Sequence, residues 1–294
     1  MLIKPECIPC VLKMCIGAIR NLSLDDGHEK QLYEKVLEIP SLRGQFWDIT
    51  SAEVVELALR TITQATEKED PFHHLKMEQN KRIMSVYPFL KDLVHTSQDP
   101  LYTAVKLAIL GNAIDVMVSD GKTSIENSIQ GQLEKPLPDT VYAEFREAVG
   151  RSRCLIFFGD NAGEIVFDKL LIDTIKKRWD MNVVYIVRSM PTLNDATVDE
   201  ARMVGIDDMA RIVENGLDGP CPGTVLSRCS EEVNELVGRA DLIVSKGGGN
   251  FDTLDEEKKR ELKKPIAFML LSKCDPYAEY LGVDVGLPIL ANRF

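Results

Sequence analysis

The second half of the chain alternates short apolar runs with longer amphipathic segments. The strong runs occupy residues 154–158, 183–187, 242–244 and 266–271, and a weaker run lies near 210–213. This alternation is typical of a parallel β-sheet covered by helices. Because no repeat of fixed period accompanies it, a solenoid is not indicated.

The first half has a different pattern, with apolar residues spaced three and four apart from residue 5 to about residue 149. That spacing predicts successive amphipathic helices, and Thr50 and Glu53 form a capping-box pattern before one of them. We therefore predict an α/β fold: a Rossmann-like, mostly parallel sheet flanked by helices at residues 151–294, joined to an all-helical domain at residues 1–150.

Composition excludes several classes of protein. Hydrophobic residues make up 45% and charged residues 28%, which is typical of a globular chain and not of a disordered one. The 35 Lys and Arg against 46 Asp and Glu give a net charge of −11, so nucleic acids and acidic membranes are not expected partners. No apolar run reaches the roughly 18 residues of a membrane helix. The charges of Lys4, Glu6 and Lys13 argue against a signal peptide, so we expect a cytoplasmic protein.

Polar side chains follow each strong apolar run directly. In an open α/β sheet, ligands bind outside the carboxyl ends of the strands, so these four loops should converge on one site. The loops contain, in chain order, Gly-Asp-Asn-Ala-Gly-Glu from Gly159, Asn194-Asp195, Ser-Lys-Gly-Gly-Gly-Asn from Ser245, and Ser-Lys-Cys-Asp from Ser272.

The oxygen ligands in these loops suit a hard metal ion. Asp160, Asn161 and Asp195 offer two carboxylates and an amide oxygen, which favour Mg²⁺ or Mn²⁺ over zinc, with Co²⁺ or Ni²⁺ as alternatives. Such an ion can polarise a phosphoryl oxygen and activate a bound water. The alternative is that both aspartates only cap helices.

Other groups in the loops suit a phosphate. The backbone N–H groups of residues 162–164 lie at a predicted helix start, and the glycines at 247–249 allow close approach of the backbone. Lys246 and Lys273 add positive charge. A plain turn would explain the glycines equally well when they are taken alone.

Several strings together resemble the damage-control phosphatases, also called ARMT-like proteins. The resemblance spans nearly the whole chain. The start of the chain is similar to that of the prokaryotic and archaeal branch of the family, which carries an N-terminal Cys-x-x-Cys. The strings are Asp-Asn-Ala-Gly-Glu from Asp160, Phe167-Asp168, Asn194-Asp195, Lys-Gly-x-x-Asn from Lys246, Lys273-Cys274, Asp70-Pro71-Phe72 with Lys76 and Asn80, Gly-Asn-Ala-Ile-Asp from Gly111, and Pro-Glu-Cys-Ile-Pro-Cys from Pro5.

The resemblance implies a metal-dependent phosphatase, a phosphomonoesterase, that hydrolyses small phosphorylated metabolites in the cleft between the two domains. It implies that the metal is held by Asp160, Asn161 and Asp195, and that catalysis uses Asp160, Glu164 and Lys273. The substrate-binding residues that it implies are Lys246, Gly247, Asn250, Asn112, Asp115 and Lys76. We prefer attack by metal-bound water over a phospho-enzyme on Asp160, because a metal weakens a carboxylate nucleophile.

Three of the seven cysteines crowd near the start of the chain, at Cys7, Cys10 and Cys15. The odd number and the absence of a secretion signal argue against a disulfide framework. On a helix the three thiols could form a second site for a soft metal or for redox chemistry, with Cys274 as a possible fourth ligand. Proximity of Cys10 to Cys274 would place the first helix against the α/β half. The alternative is that all of them are buried, reduced helix residues.

Two other functions compete with phosphate hydrolysis. One is a metabolite- or nucleotide-binding module that uses the same cleft without turnover, and the other is a thiol-based metal or redox protein centred on Cys7, Cys10 and Cys15. A dehydrogenase is disfavoured because the glycine fingerprint of dinucleotide-binding loops is absent.

Overall fold

A six-stranded sheet forms the centre of the molecule. It is seen in a computed structural model that describes residues 1–64, 70–111 and 125–294. Within these ranges the strand order is β3-β2-β1-β4-β5-β6. The strands are β1 (Cys154–Phe158), β2 (Asn182–Val187), β3 (Arg211–Glu214), β4 (Leu242–Lys246), β5 (Ile266–Leu271) and β6 (Pro288–Arg293).

Strands β1 to β5 run parallel, and β6 pairs antiparallel with β5. The strand order reverses between β1 and β4, where Phe158 pairs with Ser245. The loops after these two strands therefore leave the sheet side by side, at the position where open α/β sheets bind ligands. The predicted fold class is confirmed.

Helices precede and surround the sheet. In the part of the chain that the structure describes, three short 3-10 turns accompany them, at Pro5–Cys7, Pro40–Arg43 and Leu226–Arg228. The described helices are α1 (Ile8–Asn21), α2 (Asp26–Leu37), α3 (Ser51–Gln64), α4 (His73–Ser85), α5 (Tyr87–Thr96), α6 (Pro100–Gly111), α7 (Ile125–Leu133), α8 (Asp139–Arg151), α9 (Glu164–Arg178), α10 (Val198–Met203), α11 (Glu231–Arg239), α12 (Gly248–Arg260) and α13 (Asp275–Leu281).

Local sequence explains where several helices begin. The Asp25 carboxylate accepts from the backbone N–H of Gly27 and His28 at the start of α2, and Ser230 accepts from Val233 at the start of α11. Thr50 and Glu53 form the predicted bonds before α3, with Glu53 accepting from the Thr50 backbone at 3.0 Å. These caps satisfy amide groups that have no partner inside the helix.

Alternate residues of each strand point to opposite faces, and each face has its own core. Phe157 and Tyr185 point to the face that α9 and α6 cover. Phe158 and Phe268 point to the other face, where they pack with buried residues of α11 and α12. A third, smaller core lies among α1, α2 and α3.

These cores connect the two predicted domains closely. Leu107 and Ala108 of α6 are fully buried in the same cluster as Phe167 and Leu170 of α9. The helices from α4 to α8 therefore contribute to the layer on the sheet, while the separate small core contains residues 3–62. The division at residue 150 stays a prediction. Within the described ranges, no helix is both long and apolar enough to cross a membrane.

Candidate active site

Backbone hydrogen bonds join the loop after β1 to the loop after β2. Ala162 N–H donates to the Asn194 carbonyl at 2.8 Å, and Ala196 N–H donates to the Asp160 carbonyl at 2.8 Å. Asn161 and Asp195 form an isolated antiparallel bridge between them. The three predicted metal-binding side chains, those of Asp160, Asn161 and Asp195, are thereby carried on two loops that the backbone holds together.

The two aspartates of this group are 6% and 3% exposed, for Asp160 and Asp195 respectively. Burial raises the pKa of the Asp160 carboxyl well above its usual range, and the nearby charges of Asp195 and Glu164 raise it further. Burial also raises the pKa of Asp195, against the opposing effect of Arg188. Two buried carboxylates that disfavour each other's ionisation would be stabilised by a cation between them.

Arg188 follows β2 directly and lies beside both aspartates. Its Nε donates to Asp195 Oδ2 at 2.7 Å, and its Nη2 is 3.7 Å from Asp160 Oδ1. Its Nη1 is fixed by the carbonyl of Gly223 at 2.9 Å and by Asn250 Oδ1 at 3.0 Å. Because this guanidinium is itself anchored, it fixes the orientation of the Asp195 carboxylate.

Lys246 lies at the end of β4 and is fully buried. Its ammonium donates to Glu164 Oε1 and to Asp168 Oδ1, each at 2.6 Å. Tyr185 donates to the other oxygen of Asp168 at 2.7 Å. The two carboxylates therefore hold the ammonium in place, and its predicted contact with phosphate stays a prediction.

Asn250 uses its whole side-chain amide on protein groups. Its nitrogen donates to the carbonyls of Gly159 and Lys246, both at 2.9 Å. Its oxygen accepts from Arg188 and from the Thr224 hydroxyl, the latter at 2.8 Å. Asn250 thus ties together the ends of β1, β2 and β4, and its contact with substrate is likewise still a prediction.

Gly247 brings the loop after β4 against Asp160. Its φ angle is +78°, and a Cβ atom at this position would lie 1.9 Å from Asp160 Oδ2. Only glycine permits both the backbone conformation and this approach. Lys273, which follows β5, is exposed, and its charge lowers the pKa of Asp160. Gly247 therefore lies against Asp160, and the predicted roles of Gly247 and Lys273 stay predictions.

Some backbone N–H groups at the start of α9 already donate to protein oxygens. The sequence assigns the N–H groups of residues 162–164 to phosphate, but Ala162 donates to Asn194 and Gly163 donates to Asn80 Oδ1 at 2.6 Å. Glu164 is fully buried, and its Oε2 accepts from Asn161 at 3.3 Å. Two of the three expected phosphate donors are thus already paired.

Lys76, on α4, lies on the helical side of these loops and is fully buried. Its ammonium is 2.8 Å from Asp70 Oδ2 and 3.2 Å from Glu200 Oε1. Asp70, His73 and Glu200 are a group in the described ranges whose ligand atoms all lie within 4.8 Å of one another, so this is a possible metal site. Since Lys76 already supplies a cation to two of the three, we favour the group at Asp160.

The remaining predicted residues lie elsewhere. Asn112 and Asp115 fall outside the described residues. Cys7 and Cys10 lie at the start of α1, whereas Cys15 is buried in the small helical core with Val11. The three thiols of the proposed second site therefore do not share one environment.

Comparison with known proteins identifies the family. The damage-control phosphatase ARMT1-like domain matches residues 3–288 of the chain. The chain belongs to this family. A damage-control phosphatase of Archaeoglobus fulgidus is 30% identical over 289 residues, which cover 97% of each protein. Another from Pyrococcus horikoshii is 27% identical and covers all of this chain. This ARMT1-like family supports a phosphatase, and hence a hydrolase, role.

Two further proteins are similar to this ARMT1-like chain over nearly its whole length. An uncharacterized Methanocaldococcus jannaschii protein, MJ0202, is 31% identical over 99% of this chain and 95% of its own. The crystal structure of a DUF89 family protein from Pyrococcus horikoshii superposes with a TM-score of 0.87 at 25% identity, covering all of both chains. The family fold is thus shared from end to end.

Sequence reasoning missed the contribution of Arg188 and the buried pairing of Asp168 in this phosphatase. Arg188 directly follows the apolar run that forms β2. Polar side chains after apolar runs indicated the other site loops, so the same pattern could have indicated Arg188. Asp168 follows Glu164 by one helical turn, and that spacing places both on one face of α9. Nothing local in the sequence indicates that Lys246 lies between them.

Proposed function

We propose that this phosphatase is metal-dependent and hydrolyses phosphomonoesters of small metabolites at the carboxyl ends of β1, β2 and β4. The observation that carries the proposal is the joining of the two loops that present Asp160, Asn161 and Asp195. Oxygen ligands of this kind suit Mg²⁺ or Mn²⁺, with Co²⁺ and Ni²⁺ as alternatives to be tested.

The charges around these residues support a divalent ion. The buried carboxylates of Asp160, Asp195, Glu164 and Asp168 carry four negative charges when ionised, against two positive charges on Lys246 and Arg188. The difference, two minus four, is −2. An excess of buried negative charge is costly unless a cation offsets it, and one divalent ion would do so. When bound, the ion would polarise a phosphoryl oxygen and lower the pKa of a water.

The surrounding side chains would divide the remaining work. Glu164 accepts from both Lys246 and Asn161, so it orients the Asn161 amide and completes the polar wall of the site. Lys273 follows β5 and is exposed, its charge lowers the pKa of Asp160, and it would contact the phosphate of an incoming substrate. Gly247 lets the backbone after β4 lie against the Asp160 carboxylate, and so helps to position that ligand. In this assignment Asp160 holds the metal, and water is the nucleophile.

A metal-dependent hydrolysis assay tests the proposal. Chelator-treated protein is supplied with Mg²⁺, Mn²⁺, Co²⁺ or Ni²⁺ and given an aryl phosphate and a panel of sugar phosphates. We expect activity to return with metal and to fall about 100-fold or more in Asp160→Asn, because one anionic ligand is lost. Asp207→Asn serves as the matched control and should keep wild-type activity, because it removes an exposed carboxylate in the turn between α10 and β3.

Two results would contradict the proposal. The first is full activity after chelation in protein whose metal content has been checked. The second is an Asp160→Asn variant that remains folded by circular dichroism and as active as Asp207→Asn. Stereochemistry at phosphorus adds a readout of the nucleophile, because a substrate with an isotopically chiral phosphoryl group gives inversion on direct water attack and retention through a phospho-enzyme.

A further inference from the structure

A cluster of four charged side chains joins α3 to the segment between β3 and α11. This Glu56 cluster consists of Glu56 and Arg60 on α3, Asp218, and Arg228 in the 3-10 turn before α11. Arg228 donates from both terminal nitrogens to Glu56, at 2.6 and 2.7 Å. Arg60 donates to Glu56 Oε1 at 2.8 Å, and both arginines donate to Asp218 Oδ1. Glu56 therefore accepts from two guanidinium groups at once.

Glu56 is the buried member of the cluster and is 4% exposed. Burial raises the pKa of its carboxyl, but the bonds from Arg228 and Arg60 outweigh burial and hold that pKa below its ordinary value. A Cβ atom at Gly219 would overlap both Arg60 and Glu56, so the segment lies directly against the cluster. Since apolar side chains often stabilise a fold as well as a buried ion pair does, the geometry that this cluster imposes is its more informative feature.

The segment attached to the cluster, residues 217–229, passes between α3 and α12, and we call it the connecting segment. A Cβ atom at Gly223 would lie 2.7 Å from Thr253 Cγ2 on α12 and 3.0 Å from Ala52 Cβ on α3. The Thr253 hydroxyl also accepts from the Thr224 N–H at 2.9 Å. The middle of the connecting segment is thus enclosed by two helices, while the Glu56 cluster holds it near both ends.

The same middle part of the connecting segment contacts Arg188. Arg188 Nη1 donates to the Gly223 carbonyl at 2.9 Å and lies 3.3 Å from the Thr224 hydroxyl oxygen. That hydroxyl donates to Asn250 Oδ1 at 2.8 Å, and this oxygen also accepts from Nη1 at 3.0 Å. Among the described residues, two of the three acceptors around Nη1 therefore belong to the connecting segment.

The other nitrogens of Arg188 lie beside the aspartates of the proposed metal site. Its Nε donates to Asp195 Oδ2 at 2.7 Å. Its Nη2 is buried and makes no hydrogen bond within the described residues, although Asp160 Oδ1 is 3.7 Å away. The bonds from Nε and Nη1 therefore set the position of the guanidinium. Without the connecting segment, Nη2 would be free to turn toward Asp160 and to compete there with a metal ion, because both are cations.

We propose that Glu56 is a positioning residue for the metal site. Through Arg228 and the connecting segment, it keeps Arg188 in place. Arg188 then orients Asp195 and leaves Asp160 to the ion. The proposal rests on the metal site of the proposed function, and it assigns to that site a residue from the first half of the chain. Loss of the Glu56 charge should therefore weaken metal binding in protein that remains folded.

Manganese binding to the full chain, stripped of metal by chelator, tests the proposal without a substrate. The electron paramagnetic resonance signal of free Mn²⁺ falls on binding and so gives a dissociation constant, which Asp160→Asn assigns to the proposed site. We expect Glu56→Gln to raise this constant about 10-fold, as when a group that orients a metal ligand is changed. Arg228→Lys keeps the positive charge but loses the forked bonds to Glu56, so it should also raise the constant.

Two further variants separate positioning from stability. Glu235→Gln removes the exposed partner of Arg239 on α11, so it should leave the dissociation constant within about two-fold of the wild type. If Glu56 acts through Arg188, the effects of changing the two residues are not additive. In an Arg188→Lys background, Glu56→Gln should therefore have little further effect on Mn²⁺ binding, although it still lowers the unfolding temperature.

The proposal is overturned if Glu56→Gln and Arg228→Lys fold and bind Mn²⁺ as the wild type does. It is equally overturned if Glu56→Gln weakens binding by the same factor with and without Arg188→Lys. Arg228→Lys carries the test alone if Glu56→Gln does not fold. Mn²⁺ binding that is unchanged in Asp160→Asn would instead overturn the metal site itself, and this proposal with it, so the two failures are distinguishable.

Discussion

Lys246 lies at the end of β4 among buried carboxylates, and its contact with phosphate stays a prediction. Its ammonium is enclosed by Glu164 and Asp168, both fully buried, and Tyr185 supports Asp168 from the other side. Removing one partner of a buried pair is costly because the other charge is left uncompensated. This group of side chains thus gives the loops after β1 and β4 a fixed relative position.

The same group predicts a pH dependence of stability. Burial is the main cause of the raised pKa of Asp168, about 6 against an ordinary 3.8, and Lys246 opposes it. A raised carboxyl pKa stabilises the folded state below the unfolded pKa, and that contribution is lost as pH rises to about 6. Relative to Asp168→Asn, the wild type should lose up to about 3 kcal/mol of unfolding free energy between pH 4 and pH 7.

Urea unfolding of both proteins across this pH range, in the presence of chelator, measures the difference. The constant offset between the two curves reflects the lost hydrogen bonds of Asp168, and only the change with pH reports its titration. Parallel curves would show that Asp168 ionises at its ordinary pKa.

At the residue scale, the sequence indicates which loop residues lie near one another, but it does not indicate the hydrogen-bond partners of their side chains. Asp160, Asn161 and Asp195 could be placed together because each follows a strand of one parallel sheet. The bonding of Lys246 and Asn250 could not be predicted, since their partners lie on segments 78 and 91 residues away. Such partners depend on the packing of α9 on the sheet.

At the scale of elements, α4 connects the first half of the chain to the active-site loops. Asn80 is fully buried; its oxygen accepts from Gly163 N–H at 2.6 Å, and its nitrogen donates to the Glu200 carbonyl at 3.4 Å. Lys76, one turn earlier on α4, pairs with the Glu200 carboxylate. A single helix face therefore holds the starts of both α9 and α10.

We expect Asn80→Ala to weaken both stability and activity. It leaves the Gly163 N–H buried without its acceptor, which costs about 1–3 kcal/mol. Because Gly163 precedes Glu164, the loop carrying Asp160 should also lose order, and the activity per folded molecule should fall. Thermal unfolding and metal-saturated turnover measure the two effects.

The control for this variant is Glu78→Ala, which truncates an exposed residue of the same helix. It should change stability by less than about 0.5 kcal/mol. Equal effects of the two substitutions would show that helix propensity, and not the bond to Gly163, accounts for the loss.

Elements with a strong local pattern were predicted well, and those defined by distant pairing were not. The apolar runs at 154–158 and 266–271 coincide with β1 and β5. Strand β6 was not predicted, although it completes the sheet by pairing antiparallel with β5. Its residues lie near the end of the printed chain, and its pairing depends on an edge that only the folded sheet provides.

At the scale of the whole molecule, the core beside α9 links residues far apart along the chain. It extends from Ile83 to Leu290 and includes fully buried residues on both sides of residue 150. Cores that share side chains unfold together. We therefore expect one calorimetric transition that includes both α6 and the sheet.

Leu107→Ala tests this expectation, because Leu107 is a fully buried residue of α6. Its truncation should cost about 2–5 kcal/mol and move the whole transition to lower temperature. Leu57→Ala, which truncates a leucine of α3 that is 42% exposed, should leave the transition nearly unchanged. An endotherm that splits in two, with only one part moved by Leu107→Ala, would instead favour separate unfolding of residues 1–150.

The β3 end of the sheet has a consequence for the behaviour of these molecules at high concentration. An unpaired strand edge can add a strand from another molecule, which is a route to aggregation. Strand β3 is only four residues long, and the charged side chains of Arg211 and Glu214 are exposed on it. A second sheet that docked there would gain few hydrogen bonds and would have to desolvate both charges. The shortness of β3 thus helps to keep neighbouring molecules apart.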